Sequence, residues 1–149
     1  MDSPLPTSPT APAPSRRPRV LVAEDDPDLR ALVMAALQVD GYDLLEAEDG
    51  ADLQDWADLS VWNSKRDPID AVVSDVNLPC RSALEVLRSL RGTPWRTPVI
   101  LITAFGDSRV CREAHDLGVQ LILSKPFEMN DLRAVVRAIV RREDFPIYW

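Results

Sequence analysis

Cysteine, histidine and glycine are scarce in this chain: two, one and five among 149 residues. Cys80 and Cys111 stand 31 positions apart, with neither a metal-ligand spacing nor a disulfide framework between them. That excludes a disulfide-stapled secreted domain and leaves two reduced thiols, as in a cytoplasmic protein. No segment approaches the roughly 20 apolar residues that a bilayer span needs. The N-terminus also lacks the basic-then-apolar pattern of a secretory signal, so a cytoplasmic location is expected. An excess of positive charge is missing too. Seventeen Lys and Arg against 24 Asp and Glu give a net charge of -7. A nucleic-acid groove or an anionic membrane surface wants the opposite sign, so neither is expected as a partner.

What the chain has is alternation. Residues 1–18 hold 6 of the 13 prolines, among Ser, Thr and Ala. Such a segment buries too little to offset its ordering entropy, and a disordered tail is expected there. Then "RVLVAED" (Arg19 to Asp25) reads as a short apolar strand. In "PDLRALVMAALQVDGY", Leu29, Leu32, Val33, Ala36 and Leu37 recur at helical spacing. Asp26 suits the N-cap, Pro27 the first helical position and Gly41 the stop. A second strand follows at Asp43 to Ala47, and a helix over residues 50–62. "IDAVVSD" is a third strand, "SALEVLRSLRG" a helix, "PVILIT" a fourth strand. "DSRVCREAHDLG" is a helix and "QLILS" a fifth strand; a last helix runs from about Glu128 to Arg142. Its Leu132, Val135, Val136, Ile139 and Val140 share one face, with Arg133, Arg137 and Arg141 as a basic stripe. Strands alternating with helices imply right-handed βαβ units and a parallel sheet covered on both faces. The folded domain is expected over 19–142, and 143–149 as a tail.

Ligands of such sheets bind beyond the carboxyl ends of the strands, where the winding reverses. Strand one ends in Glu24-Asp25, strand three in Asp75, strand four in Thr103, and strand five runs into Lys125. Each residue alone has a plain reading as a capping or solvated group. Together they gather three carboxylates, a hydroxyl and an ammonium at one edge. Close carboxylates repel and call for a cation, and an oxygen-rich set suits Mg²⁺. With no His or Cys at these ends, zinc is disfavoured. Phosphate answers the lysine and the hydroxyl. Asp75 would attack phosphorus as a carboxylate nucleophile, while Mg²⁺ and Lys125 neutralise phosphoryl oxygens and Thr103 donates a hydrogen bond.

The stretches "VLVAEDDPDLR", "VVSDVNLP", "VILITA" and "LILSKPF", in this order, resemble the receiver domain of two-component response regulators. The resemblance covers about residues 19–142 and implies a flavodoxin-like, doubly wound five-stranded parallel sheet of order 2-1-3-4-5. It implies that Asp75 is the phosphoacceptor, and that Glu24, Asp25, Asp75 and the backbone carbonyl of Asn77 hold Mg²⁺. Thr103 looks like the switch hydroxyl, Lys125 the phosphate-pairing lysine, and the Lys125–Pro126 bond would be cis. The implied donor is a histidine kinase or histidine phosphotransfer protein. The output is an unnamed downstream protein, or a homodimer formed through the fourth helix, fifth strand and last helix.

Departures from the family pattern are also visible. Ser82-Ala83 replaces an Asp-Gly pair, and Cys80 a frequent glycine, so this loop is expected to leave the φ > 0 region. The switch-aromatic position holds Ile122, and Asn77 and Phe105 occupy positions that tune phosphoryl lifetime. In the long connection "WADLSVWNSKRDPID", Trp56 and Trp62 are expected to pack as local core. His115 reads as a helix-surface residue. Nothing but "EDFPIYW" follows Arg142, so a stand-alone receiver without catalytic turnover is expected. The rival readings are a scaffold that signals without phosphate and a Mg²⁺-dependent phosphatase. The phosphatase would want a second aspartate where Asn77 stands.

Overall fold

Five short apolar segments pair into one parallel sheet in the computed structural model, which describes residues 16–62, 68–104 and 108–142. The elements are β1 (Arg19–Ala23), α1 (Pro27–Gln38), β2 (Asp43–Ala47), α2 (Gly50–Trp62) and β3 (Ala71–Asp75). They continue with α3 (Ala83–Ser89), β4 (Val99–Thr103), α4 (Ser108–Asp116), β5 (Leu121–Ser124) and α5 (Met129–Val140). The strand order is β2-β1-β3-β4-β5, as expected. Residues 1–15 of the expected tail, Phe105 and 143–149 lie outside the described residues. Among those described, no helix is long and apolar enough to cross a membrane.

Strand side chains alternate between faces, and this splits the core in two. Val20 and Val22 of β1, Val73 of β3 and Ile100 and Ile102 of β4 pack with Val33 and Leu37 of α1 and Leu132 and Val136 of α5. Leu21, Val72 and Leu101 face the other way, onto Leu53, Ala57, Leu84 and Ala114 of α2, α3 and α4. β3 and β4 are buried at every position, which is why both read as unbroken apolar runs.

Helix ends follow local chemistry. Asp26 caps α1 by accepting from the Asp28 and Leu29 N–H groups, with Pro27 opening the helix. Gly41 at φ 86° turns the chain towards β2. Ser82 and Glu85 form a reciprocal capping box at α3, so the Ser82-Ala83 pair starts a helix securely.

Three expectations fail here. Leu32 is 61% exposed; the buried stripe of α1 runs through Leu29, Val33 and Leu37, one hundred degrees away. Trp62 is 83% exposed, so of these two tryptophans Trp56 alone packs against the core. Its indole Nε1–H donates to Glu46 O at 3.0 Å. Cys80 keeps a left-handed backbone, φ 72°, without being glycine. The basic stripe of α5 is partly committed within the chain. The Arg133 guanidinium makes a two-pronged bond to Asp40 at 3.1 and 3.0 Å, and Arg137 stands 3.8 Å from the same carboxylate.

Candidate functional site

β1 lies between β2 and β3, so the winding reverses beside it and a crevice opens past the ends of β1 and β3. The expected residues meet there. One carboxylate oxygen each from Glu24, Asp25 and Asp75 lie within 4.8 Å of one another. Glu24 and Asp75 are buried; Asp25 is exposed at the rim. Asp26 stays out of the cluster because its carboxylate caps α1.

Asp75 is held from two sides. Its Oδ1 accepts the Asn77 N–H at 2.9 Å, the turn placing the Asn77 peptide beside the carboxylate. Its Oδ2 accepts Lys125 Nζ at 2.8 Å, and that amine also stands 3.6 Å from Glu24 Oε1. Lys125 reaches across because its backbone N–H donates to Thr103 O at 2.7 Å, continuing the ladder past β5. The Lys125–Pro126 bond is cis. Thr103 is buried at the end of β4, adjacent to Ile102, the register partner of Asp75. Ile122 is half-buried on β5 and packs against the α2–α3–α4 cluster.

The charges do not balance. Three carboxylates face one ammonium, and the Glu24 carboxyl is pushed up to about 7. Burial is the main cause and the Asp75 charge adds to it, against the Asp26 N–H and Lys125, which lower it. Burial is the largest single influence on Lys125 and lowers it, but the hydrogen bonds and charges of Asp75 and Glu24 together outweigh it and leave the amine raised. Hard oxygen ligands that converge with excess negative charge fit a divalent ion such as Mg²⁺. Its place would be among Glu24, Asp25, Asp75 and the Asn77 carbonyl.

Two groups around this crevice escape a reading by strand ends. Arg30 of α1 donates through Nη1 to Glu24 O at 2.7 Å and through Nε to Glu46 Oε1 at 3.0 Å. Gly50, at the start of α2, donates its N–H to Pro79 O at 2.9 Å, so the β2–α2 and β3–α3 loops touch. A glycine before a helix hints at close approach; Arg30 ends the stretch "VLVAEDDPDLR", but nothing in the sequence marks its contact with Glu24.

Comparisons with known proteins point to one family. The family model described as the response regulator receiver domain matches residues 20–137. The "Transcriptional regulatory protein CpxR" of Escherichia coli (strain K12) is 34% identical over 124 residues, covering 83% of this chain and 50% of that protein. The "Response regulator protein PmrA" of Pseudomonas aeruginosa is 38% identical over 126 residues, covering 83% and 53%. The chain thus spans about half the length of the curated relatives it matches. Among solved structures, the signal receiver domain of a putative Luxo repressor protein from Vibrio parahaemolyticus superposes with a TM-score of 0.74 at 28% identity. That match covers 85% of this chain and 92% of the other. A sheet of order 2-1-3-4-5 with its acidic residues and lysine gathered at the β1–β3 crevice, matched by that family model over most of its length, places the chain in the response regulator receiver domain family of two-component signalling.

Proposed function

We propose that this receiver is a Mg²⁺-dependent phosphoacceptor whose Asp75 takes a phosphoryl group from a histidine kinase or histidine phosphotransfer protein. The observation carrying this reading is Asp75 itself: buried, hydrogen-bonded through both oxygens, and within 4.8 Å of two further carboxylate ligands. An Asp75 oxygen forms the new P–O bond while the P–N bond to the donor imidazole breaks. The imidazole leaves with that electron pair and takes up a proton. When bound, Mg²⁺ screens the carboxylates from one another and neutralises phosphoryl oxygens. Lys125 hands its ammonium from Asp75 Oδ2 to a phosphoryl oxygen, and the Thr103 hydroxyl donates to another.

The output follows from connectivity. Thr103 ends β4 and Lys125 directly follows β5, and these strands lead into α4 and α5. Added negative charge at Asp75 pulls on both ends, and so biases the α4–β5–α5 face towards a downstream protein or a second copy. The proposed setting is cytoplasmic, with Cys80 and Cys111 reduced, and no substrate is turned over beyond the chain's own aspartyl phosphate. The stand-alone arrangement and the exclusion of nucleic acid are expectations of the sequence alone. The curated relatives are about twice the matched length, and several carry transcriptional-regulator names.

A second reading, an interaction scaffold that signals without phosphate, is favoured by Ile122. This aliphatic side chain sits within packing and offers no ring to swing outward. Incubation with Mg²⁺ and acetyl phosphate, followed by intact mass, separates the two. Mass gain that Asp75→Asn abolishes is the expected result. No mass gain and no Mg²⁺ affinity would overturn the phosphoacceptor in favour of the scaffold.

A further inference from the structure

Arg30 is a charged side chain only 12% exposed, and all three of its guanidinium nitrogens are engaged. Nη1 donates to Glu24 O, Nε to Glu46 Oε1, and Nη2 stands 3.5 Å from Glu48 Oε1. The Glu24 N–H donates to Ala47 O at 3.0 Å. The Glu24 backbone is therefore held through both its N–H and its C=O, by the end of β2 on one side and by Arg30 on the other. Its side chain is held as well, since Oε2 accepts the Asp26 N–H at 3.1 Å.

We propose that Arg30 is a positioning residue for the divalent-cation pocket. By tying the Glu24 carbonyl to Glu46 and Glu48, it holds the β1–α1 turn so that the Glu24 and Asp25 carboxylates converge on Asp75. This rests on the reading of the pocket as a Mg²⁺ site. A planar fork is suited to the task, because one guanidinium spans a carbonyl and a carboxylate at fixed angles. Lysine carries the same charge but cannot reproduce the fork.

Coulomb's law alone predicts the opposite outcome. Arg30 is a cation near a cation site, so neutralising it should strengthen Mg²⁺ binding if charge were all it contributed. The positioning role predicts weakening. The test titrates MgCl₂ into the full chain and into Arg30→Met and Arg30→Lys, following tryptophan fluorescence and calorimetric heat. Circular dichroism in EDTA at the same temperature supplies the folded fraction by which each affinity is corrected. Both variants are expected to bind Mg²⁺ about tenfold or more weakly, the range seen when a group orienting a metal ligand is removed. Affinity in Arg30→Met that is unchanged or tighter overturns the proposal, as does wild-type affinity in Arg30→Lys. A wild-type chain that binds no Mg²⁺ refutes the pocket reading instead, so the two failures are told apart.

Discussion

Single residues at this site work against their own preferences. Glu24 is buried, and burial raises its carboxyl into the neutral range. Cys80 holds a left-handed backbone at φ 72° in the loop that follows Asp75. An L-residue there costs about 1–2 kcal/mol that glycine avoids. The loop keeps the conformation because its neighbours require it: Arg81 N–H donates to Pro79 O at 2.8 Å, and Gly50 approaches from α2. Cys80→Gly is accordingly expected to raise the stability by up to about 1 kcal/mol in urea unfolding, less than the full relief because glycine also loosens the unfolded chain. The thiol is a weak nucleophile, since the Asp49 carboxylate beside it pushes it up and keeps it protonated.

At the scale of elements, contacts between loops and helix ends set the geometry that the strands alone leave open. A Cβ on Gly50 would sit 1.9 Å from Arg81 O, a backbone atom with little room to move. Gly50→Ala should therefore push α2 off the β3–α3 loop and cost about 1–3 kcal/mol, the usual penalty of overpacking, measured by chemical unfolding. α5 is fastened to the turn after α1 through Arg133 and Asp40. The Arg133 hydrogen bond is the main reason the Asp40 carboxyl lies below its usual range. A carboxyl depressed in the folded state adds stability above its unfolded value, and that stability fades as pH falls through the folded value. Thermal melts should show Asp40→Asn less stable than wild type at neutral pH. The gap should close as pH drops below roughly 4, where unfolded aspartate takes up its proton.

The two cores share the strands of one sheet, and small single domains usually unfold in one transition, so occupation of the pocket should stabilise the whole fold. Mg²⁺ at 100 times its dissociation constant is expected to stabilise the fold by roughly 2.7 kcal/mol. Thermal unfolding with and without the ion checks this, and Asp25→Asn should abolish most of the shift. Asp25 is the exposed ligand, so its replacement disturbs the core least.

How much of this was legible differs by residue. Val72, Val73, Ile100 and Leu101 announce buried strands, because β3 and β4 are covered on both faces and admit no polar alternation. Glu24, Asp25, Asp75, Thr103 and Lys125 were legible as a set, because parallel strands carry their C-terminal residues to a common edge. Trp62 misled, since a tryptophan in a helical pattern looks like core until neighbouring elements leave it uncovered. Leu32 failed similarly: one apolar residue beyond the stripe does not say which way the helix turns its face. The role of Arg30 was invisible because its partners Glu24 and Glu46 lie 6 and 16 positions away, one just past β1 and the other on β2. The order of elements and the chemistry at the strand ends were thus determined by the sequence itself, since both follow from local periodicity and the geometry of parallel sheets. Which surfaces meet, which way α1 rolls, and what clamps the acidic turn were decided only by tertiary structure. Those depend on distances between segments that no local pattern encodes.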